Sequence, residues 1–185
     1  MTFEKKRITL KDGREALLYS PGPDEAAQMI DYLKRVCAET EYLASYPEEL
    51  DGMTVEGEQA WLQGGLDSPD EMIINCSVDG KLAANCNISF YGKMKMRHRA
   101  IIGIAVFREY WGLGIGSAMI AELIAAARAR EGVEILELEV YDENDRAIAL
   151  YRKMGFEQVS VIPQAIRLRD GRYLGEVKMF RYLDE

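Results

Sequence analysis

Two groups of residues in the C-terminal half of the chain have types and spacings suited to chemistry. The first is the bend Trp111-Gly112-Leu113-Gly114-Ile115-Gly116, followed by Ser117. Alternate glycines let a ligand approach the backbone without side chains in the way, and they tolerate positive φ. The bend opens an amphipathic helical pattern, so its amides also lie at a helix N-terminus, where N–H groups lack partners and the macrodipole is positive. Such a nest of amides suits phosphate oxygens. Ser117 adds a hydroxyl. No lysine or arginine occurs between Glu109 and Arg128, so an anion here would be held by amides and dipole. A tight strand-to-helix turn is the purely structural alternative.

The second group is Asn144, Ala147 and Tyr151, spaced i, i+3 and i+7 and so on one helix face. A phenol with a pKa of about 10 stays neutral where a thiol of about 8.5 ionises. It can therefore offer a proton to a departing thiolate. A core tyrosine packed under its helix is the structural alternative. Other nucleotide motifs fit poorly. There is no G-K-[ST] ending, and G-x-G-x-x-G would need glycine where Ser117 stands. Repeated strand–helix–strand units of a dinucleotide fold are also missing, which leaves a nucleotide oxidoreductase a distant reading.

The elements that must position these groups follow from periodicity and turn signals. Asp12-Gly13, Asp79-Gly80 and Asp170-Gly171 read as hairpin turns. They predict a strand over 14–20, a hairpin of strands 72–78 and 81–91, and a last strand over about 172–182. A first helix is expected over roughly 25–39, and a second is capped by Thr54 and ended by Ser68-Pro69. The run 100–107 is nearly all apolar, which predicts a strand buried on both faces. After the glycines, Ile115, Met119, Leu123 and Ala127 recur along the core face of a helix that Gly132 stops. In the run 135–140, Leu136, Leu138 and Val140 alternate with Glu137 and Glu139. A helix over 144–154 ends at Gly155, and Phe156 enters another strand. Hairpins flanking one strand–helix–strand crossover predict a mixed, mostly antiparallel α/β sheet flanked by helices, in a single domain.

At 185 residues and nearly half hydrophobic, the chain can bury one good core. A net charge of −8 argues against nucleic acid as a partner. No apolar stretch approaches membrane-spanning length, and the first residues lack the apolar region of a signal peptide, so a cytoplasmic protein is expected. Cys37, Cys76 and Cys86 have no metal-like spacing, and a turn at Asp79-Gly80 would set Cys76 across from Ala83 rather than Cys86. All three are expected to be reduced, mostly buried thiols. With His98 the single histidine, a histidine-based metal site is not expected.

The pattern resembles the GNAT superfamily of N-acetyltransferases across the whole chain in element order. That family's acetyl-CoA loop, [RQ]-x-x-G-x-[GA], falls on Trp111–Gly116, with Gly114 and Gly116 matching and Trp111 replacing the usual arginine or glutamine. Its second signature, N-x-x-A-x-x-[LF]-Y-x-[KR]-x-G-F, is matched by Asn144, Ala147, Leu150, Tyr151, Lys153, Gly155 and Phe156. The resemblance implies acetyl transfer from acetyl-CoA to a primary amine of a small molecule, peptide or protein, with Tyr151 as general acid. It implies cofactor contacts from Ile104, Ala105 and Val106, from Trp111 to Ser117, and from Asn144, Ala147, Tyr151 and Lys153. The strand before the glycines is splayed in the family, so that pantetheine pairs with its backbone. The resemblance places the acceptor pocket at Glu39, Glu41 and Tyr42, where the acidic set with Glu48, Glu49 and Asp51 would attract a cationic amine. A homodimer is compatible with it. Some relatives use a glutamate on the strand before the glycines as base, but 100–107 contains no ionisable side chain. His98 is then the expected base, with Glu39, Glu41 and water as alternatives. A non-catalytic acyl-CoA sensor of the same fold is the second reading.

Overall fold

The computed structural model describes residues 1–183. Strand β1 (Lys6–Thr9) turns at Asp12-Gly13 into β2 (Glu15–Tyr19). A single turn of 3₁₀ helix at Pro23–Glu25 leads into α1 (Ala26–Ala38), and α2 (Val55–Asp67) follows. Thr54 caps α2 as its sequence position predicts, its Oγ1 accepting from the Gly57 N–H at 3.1 Å. The Asp79-Gly80 turn joins β3 (Glu71–Val78) to β4 (Lys81–Phe90), with both turn residues at positive φ, as the tight hairpin twist requires. Next come β5 (Arg99–Val106), α3 (Ile115–Ala129), β6 (Ile135–Tyr141), α4 (Asp145–Lys153), β7 (Glu157–Arg167) and β8 (Tyr173–Tyr182).

The strands form one eight-stranded sheet in the order β1-β2-β3-β4-β5-β6-β8-β7. It is antiparallel except for β5 and β6, which run parallel because α3 crosses over between them. The expected mixed α/β architecture is therefore the observed one. By compactness the chain divides into two units, one of Met1–Ser89 with Gly103–Met119, the other of Phe90–Ile102 with the chain from Ile120 onward. In the first, Leu18, Met29, Tyr32, Ile74 and Ile88 are fully buried; in the second, Leu123, Leu136, Phe156 and Met179 are. Each such aliphatic side chain contributes about 1.5–3 kcal/mol by leaving water.

Two expectations are corrected, for the strand before the glycines and for Cys76. The run before the glycines is not buried on both faces: Ala100 and Ile102 are, but 103–106 are half-buried. Of the two glutamates that alternate with the apolar residues of β6, Glu137 is the one withdrawn from solvent. It is fully buried, beside the Arg99 guanidinium and Tyr91 hydroxyl, with Lys178 Nζ at 3.5 Å; Glu139 is exposed and pairs with Lys178 at 3.2 Å. Cross-strand ion pairing thus overrides simple alternation. Cys76 sits opposite Ala84, one residue from the expected Ala83, because the β3–β4 register shifts between Cys76 and Ser77. The three cysteines are free and buried, as expected.

Candidate active site

The glycine bend belongs to the first unit. Gly112 and Gly114 take φ of +83° and +98°, a region that side chains with a Cβ rarely enter. A Cβ on Gly112 would meet nothing within 4 Å, and one on Gly114 would meet Lys11 Cγ at 3.9 Å, so the space beside both glycines is open. The Lys11 N–H donates to the Leu113 carbonyl at 3.1 Å and pins the bend to the first hairpin. The Ala118 N–H donates to the Gly114 carbonyl at 3.0 Å, the first bond of α3. The amides of Ile115, Gly116 and Ser117 precede it and have no intrahelical acceptor. These are the donors an anion needs.

Upstream, β5 pairs with β6 only over Arg99–Ile101, opposite Ile135–Glu137. On its other edge, Phe107 N–H donates to the Ala83 carbonyl of β4 at 3.0 Å. Because backbone groups alternate along a strand, Ala105 faces β4 as well, while Ile104 and Val106 direct theirs to the edge that β6 has left. The Ala105 carbonyl accepts from the Tyr32 hydroxyl at 2.7 Å. The Val106 carbonyl accepts from Trp111 Nε1 at 2.7 Å. Trp111, at the motif position where arginine or glutamine is usual, thus caps the strand end.

In the second unit, Asn144 caps α4: its Oδ1 accepts from Ala147 N–H at 3.2 Å, which leaves the side-chain N–H groups out of the cap. Ile148 and Tyr151 are the buried residues of α4, and Lys153 is exposed in its last turn. The Tyr151 ring meets Phe156 edge-on at 6.0 Å, and among the described residues no partner bonds its hydroxyl. Burial pushes the phenol up to about 12.

The remaining expected residues fall elsewhere. His98 precedes β5, and its carbonyl accepts from Glu134 and Ile135 N–H at 2.8 and 3.0 Å. His98 belongs to the second unit and Val106 to the first. Glu39, at the end of α1, is engaged: its Oε2 accepts from Arg108 N–H at 2.7 Å, and its carbonyl takes the Arg108 guanidinium. Glu49 accepts from Tyr46 N–H at 2.6 Å, and Asp51 pairs with Lys34 at 2.8 Å. Glu39, Glu49 and Asp51 therefore hold local structure. Glu41 is exposed and Tyr42 half-buried in the loop after α1. Tyr32 carried no motif, and its only sequence signal was a polar ring on the apolar face of α1.

Residues 30–156 match the Acetyltransferase (GNAT) family. The chain belongs to that family. It is thus an N-acetyltransferase enzyme whose acetyl donor is acetyl-CoA. It is 31% identical over 117 residues to N-alpha-acetyltransferase RimI of Mycobacterium tuberculosis, covering 61% of this chain and 72% of that one. It is 28% identical over 121 residues to L-amino acid N-acetyltransferase AaaT of Escherichia coli, covering 65% and 74%. It also matches the uncharacterized protein ML0378 of Mycobacterium leprae at 30% identity but spans only 32% of that protein's length. Its fold superposes on an acetyltransferase of the GNAT family from Streptococcus pneumoniae with a TM-score of 0.85, at 25% identity over 91% of this chain and 99% of that one. No helix among the described residues is long and apolar enough to cross a membrane.

Proposed function

We propose that the chain, acting as a single N-acetyltransferase domain in the cytoplasm, acetylates a primary amine of a small molecule, peptide or protein N-terminus. The observation that carries the reading is the condition of β5. Its residues 103–106 are apolar yet half-exposed, their β6 pairing has ended, and they lead into a glycine bend with unfilled amides. An open strand edge accepts an amide-bearing arm as an added strand, and the bend accepts a pyrophosphate. Acetyl-CoA supplies the activated acyl carbon and the sulfur leaving group.

The chain's residues then divide the work. The bend from Trp111 to Ser117 holds phosphate, and Ile104 and Val106 hold the arm, with Val106 N–H the donor to the acyl oxygen. Asn144, Ala147 and Lys153 contribute to the arm's surroundings, and the Tyr151 hydroxyl donates to the departing sulfur. The amine must lose a proton. His98 is the base in this reading, directly or through water, with Glu39 and Glu41 as alternatives. Glu41 and Tyr42 face the acceptor in this reading, with Glu39 holding the segment. Sedimentation decides whether the enzyme works as a homodimer.

Gly114→Val tests the site. Valine at positive φ is strained, and its branches fill the open space beside the bend. Calorimetric affinity for acetyl-CoA should fall at least tenfold, by far more than the melting temperature explains. Equal affinity in the variant would refute the assignment. Thiol release across a panel of amines and N-terminal peptides then identifies the acceptor class.

A further inference from the structure

The Tyr32 hydroxyl occupies a place that a backbone hydrogen bond ordinarily fills. Starting from the Phe107–Ala83 bond, the next bonded pair of an antiparallel ladder is Ala105 with Asn85. There the phenol intervenes. It accepts from Asn85 N–H at 3.1 Å and donates to the Ala105 carbonyl at 2.7 Å. Tyr32 is 2% exposed, and its ring meets Phe107 edge-on at 4.7 Å. Two further residues on the same side of α1 hold the adjoining backbone. The Arg35 guanidinium lies over the Phe107 ring at 4.7 Å, and Glu39 takes the Arg108 N–H.

The consequence lies in the next peptide group. The peptide bonds of the described residues are all trans, so the Ala105 carbonyl and the Val106 N–H, which share one plane, point in opposite directions. Holding that carbonyl toward β4 holds the Val106 N–H toward the open edge. The following plane is fixed too, by Trp111 on the Val106 carbonyl and by Ala83 on the Phe107 N–H. Val106 is left with its carbonyl occupied and its N–H aimed.

We infer that Tyr32 is a positioning residue for acetyl transfer: by replacing one rung of the β4–β5 ladder, its hydroxyl aims the Val106 N–H at the acyl oxygen. The inference rests on Val106 as donor in the proposed site. Without the hydroxyl, Asn85 N–H and the Ala105 carbonyl can close the rung directly. The fold survives, but the Val106 plane turns.

Tyr32→Phe deletes the hydroxyl and keeps the ring. At saturating amine, kcat should fall by about tenfold or more while the KM for acetyl-CoA stays within about threefold, as for loss of one oriented donor. The Val106 amide resonance, which should move downfield when acetyl-CoA binds the wild type, should lose most of that movement in the variant. An unchanged kcat, or a loss confined to KM, overturns the role of Tyr32 and leaves the cofactor site standing. A wild-type Val106 resonance that does not respond to acetyl-CoA overturns the donor assignment and the inference with it. If Tyr32→Phe does not fold, 3,5-difluorotyrosine at this position keeps the hydroxyl and alters its donor strength. The acetyl-CoA-bound Val106 shift should then change, and an identical shift refutes the inference.

Discussion

Tyr151 shows how burial alters what a side chain can contribute. Its phenol is pushed up to about 12 by desolvation, whereas the thiol it would serve has a pKa of about 8.5. In the proposed site, complete proton transfer from phenol to thiolate would be uphill, so the hydroxyl would serve as a hydrogen-bond donor to the sulfur while the proton lost by the amine passes to the base. Tyr151→Phe should lower kcat by roughly tenfold to a thousandfold, as for loss of one oriented hydrogen-bond donor, with acetyl-CoA affinity nearly unchanged. Full turnover at saturating amine would assign the ring to packing alone. The pH sign follows from the raised value. The active, protonated phenol is lost only as pH rises through about 12, so Tyr151→Phe should remove no alkaline limb from a profile taken between about pH 6 and 10. Loss of the acidic limb in His98→Gln would place the base at His98; an identical profile would move it to water or to Glu39 or Glu41.

At the scale of elements, the same turn chemistry is used at both ends of the chain. Asp12 and Asp170 each accept the backbone N–H of the arginine two residues on, at 3.1 and 2.9 Å, and receive its Nε at 2.8 and 2.7 Å. The intervening Gly13 and Gly171 take φ of +87° and +89°. These arginine contacts, first the side-chain bond and then the backbone one, hold both carboxyls below the usual aspartate range. A carboxyl depressed in the folded state stabilises above its unfolded pKa, and that stability is lost as pH falls through the folded value. Asp170→Asn should therefore lower the melting temperature at neutral pH, with the difference from wild type shrinking toward zero in acid. A difference that stays constant as the solution is acidified would refute this. The first turn matters more for function, because the hairpin it forms carries Lys11, whose N–H holds the glycine bend.

For the molecule as a whole, the buried thiols report on integrity. Burial raises the Cys37 thiol and pushes Cys76 up to about 12, and Cys86 is fully buried. A thiol reacts as its thiolate, so none of the three is poised to react in the folded state. Ellman's reagent should find almost no rapidly reacting thiol in native protein and three after denaturation, matching the three cysteines of the sequence. A fast native equivalent would show local opening around one of them. The same protection means that thiol release in an acetyl-transfer assay reads CoA rather than protein.

Much of the chain was legible in advance because its signals are local. Asp-Gly turns, the Thr54 cap, the four-residue spacing from Ile115 to Ala127 and Gly155 after α4 act within a few residues, so composition alone placed the hairpins and helices. The glycine bend and the Asn144–Tyr151 face were legible for the same reason, since a helix start and one helix face are short-range geometry. What only the tertiary structure decided are the places where distant segments meet. Glu137 is buried because Arg99, Tyr91 and Lys178 reach it from other strands, which no alternation pattern in β6 could show. Apolar residues 103–106 are left half-exposed because the pairing of β5 with β6 stops at Ile101, a register rather than a propensity. Tyr32 joins β4 to β5 across 53 and 73 residues of sequence, so its hydroxyl acquires a role only after the chain has folded.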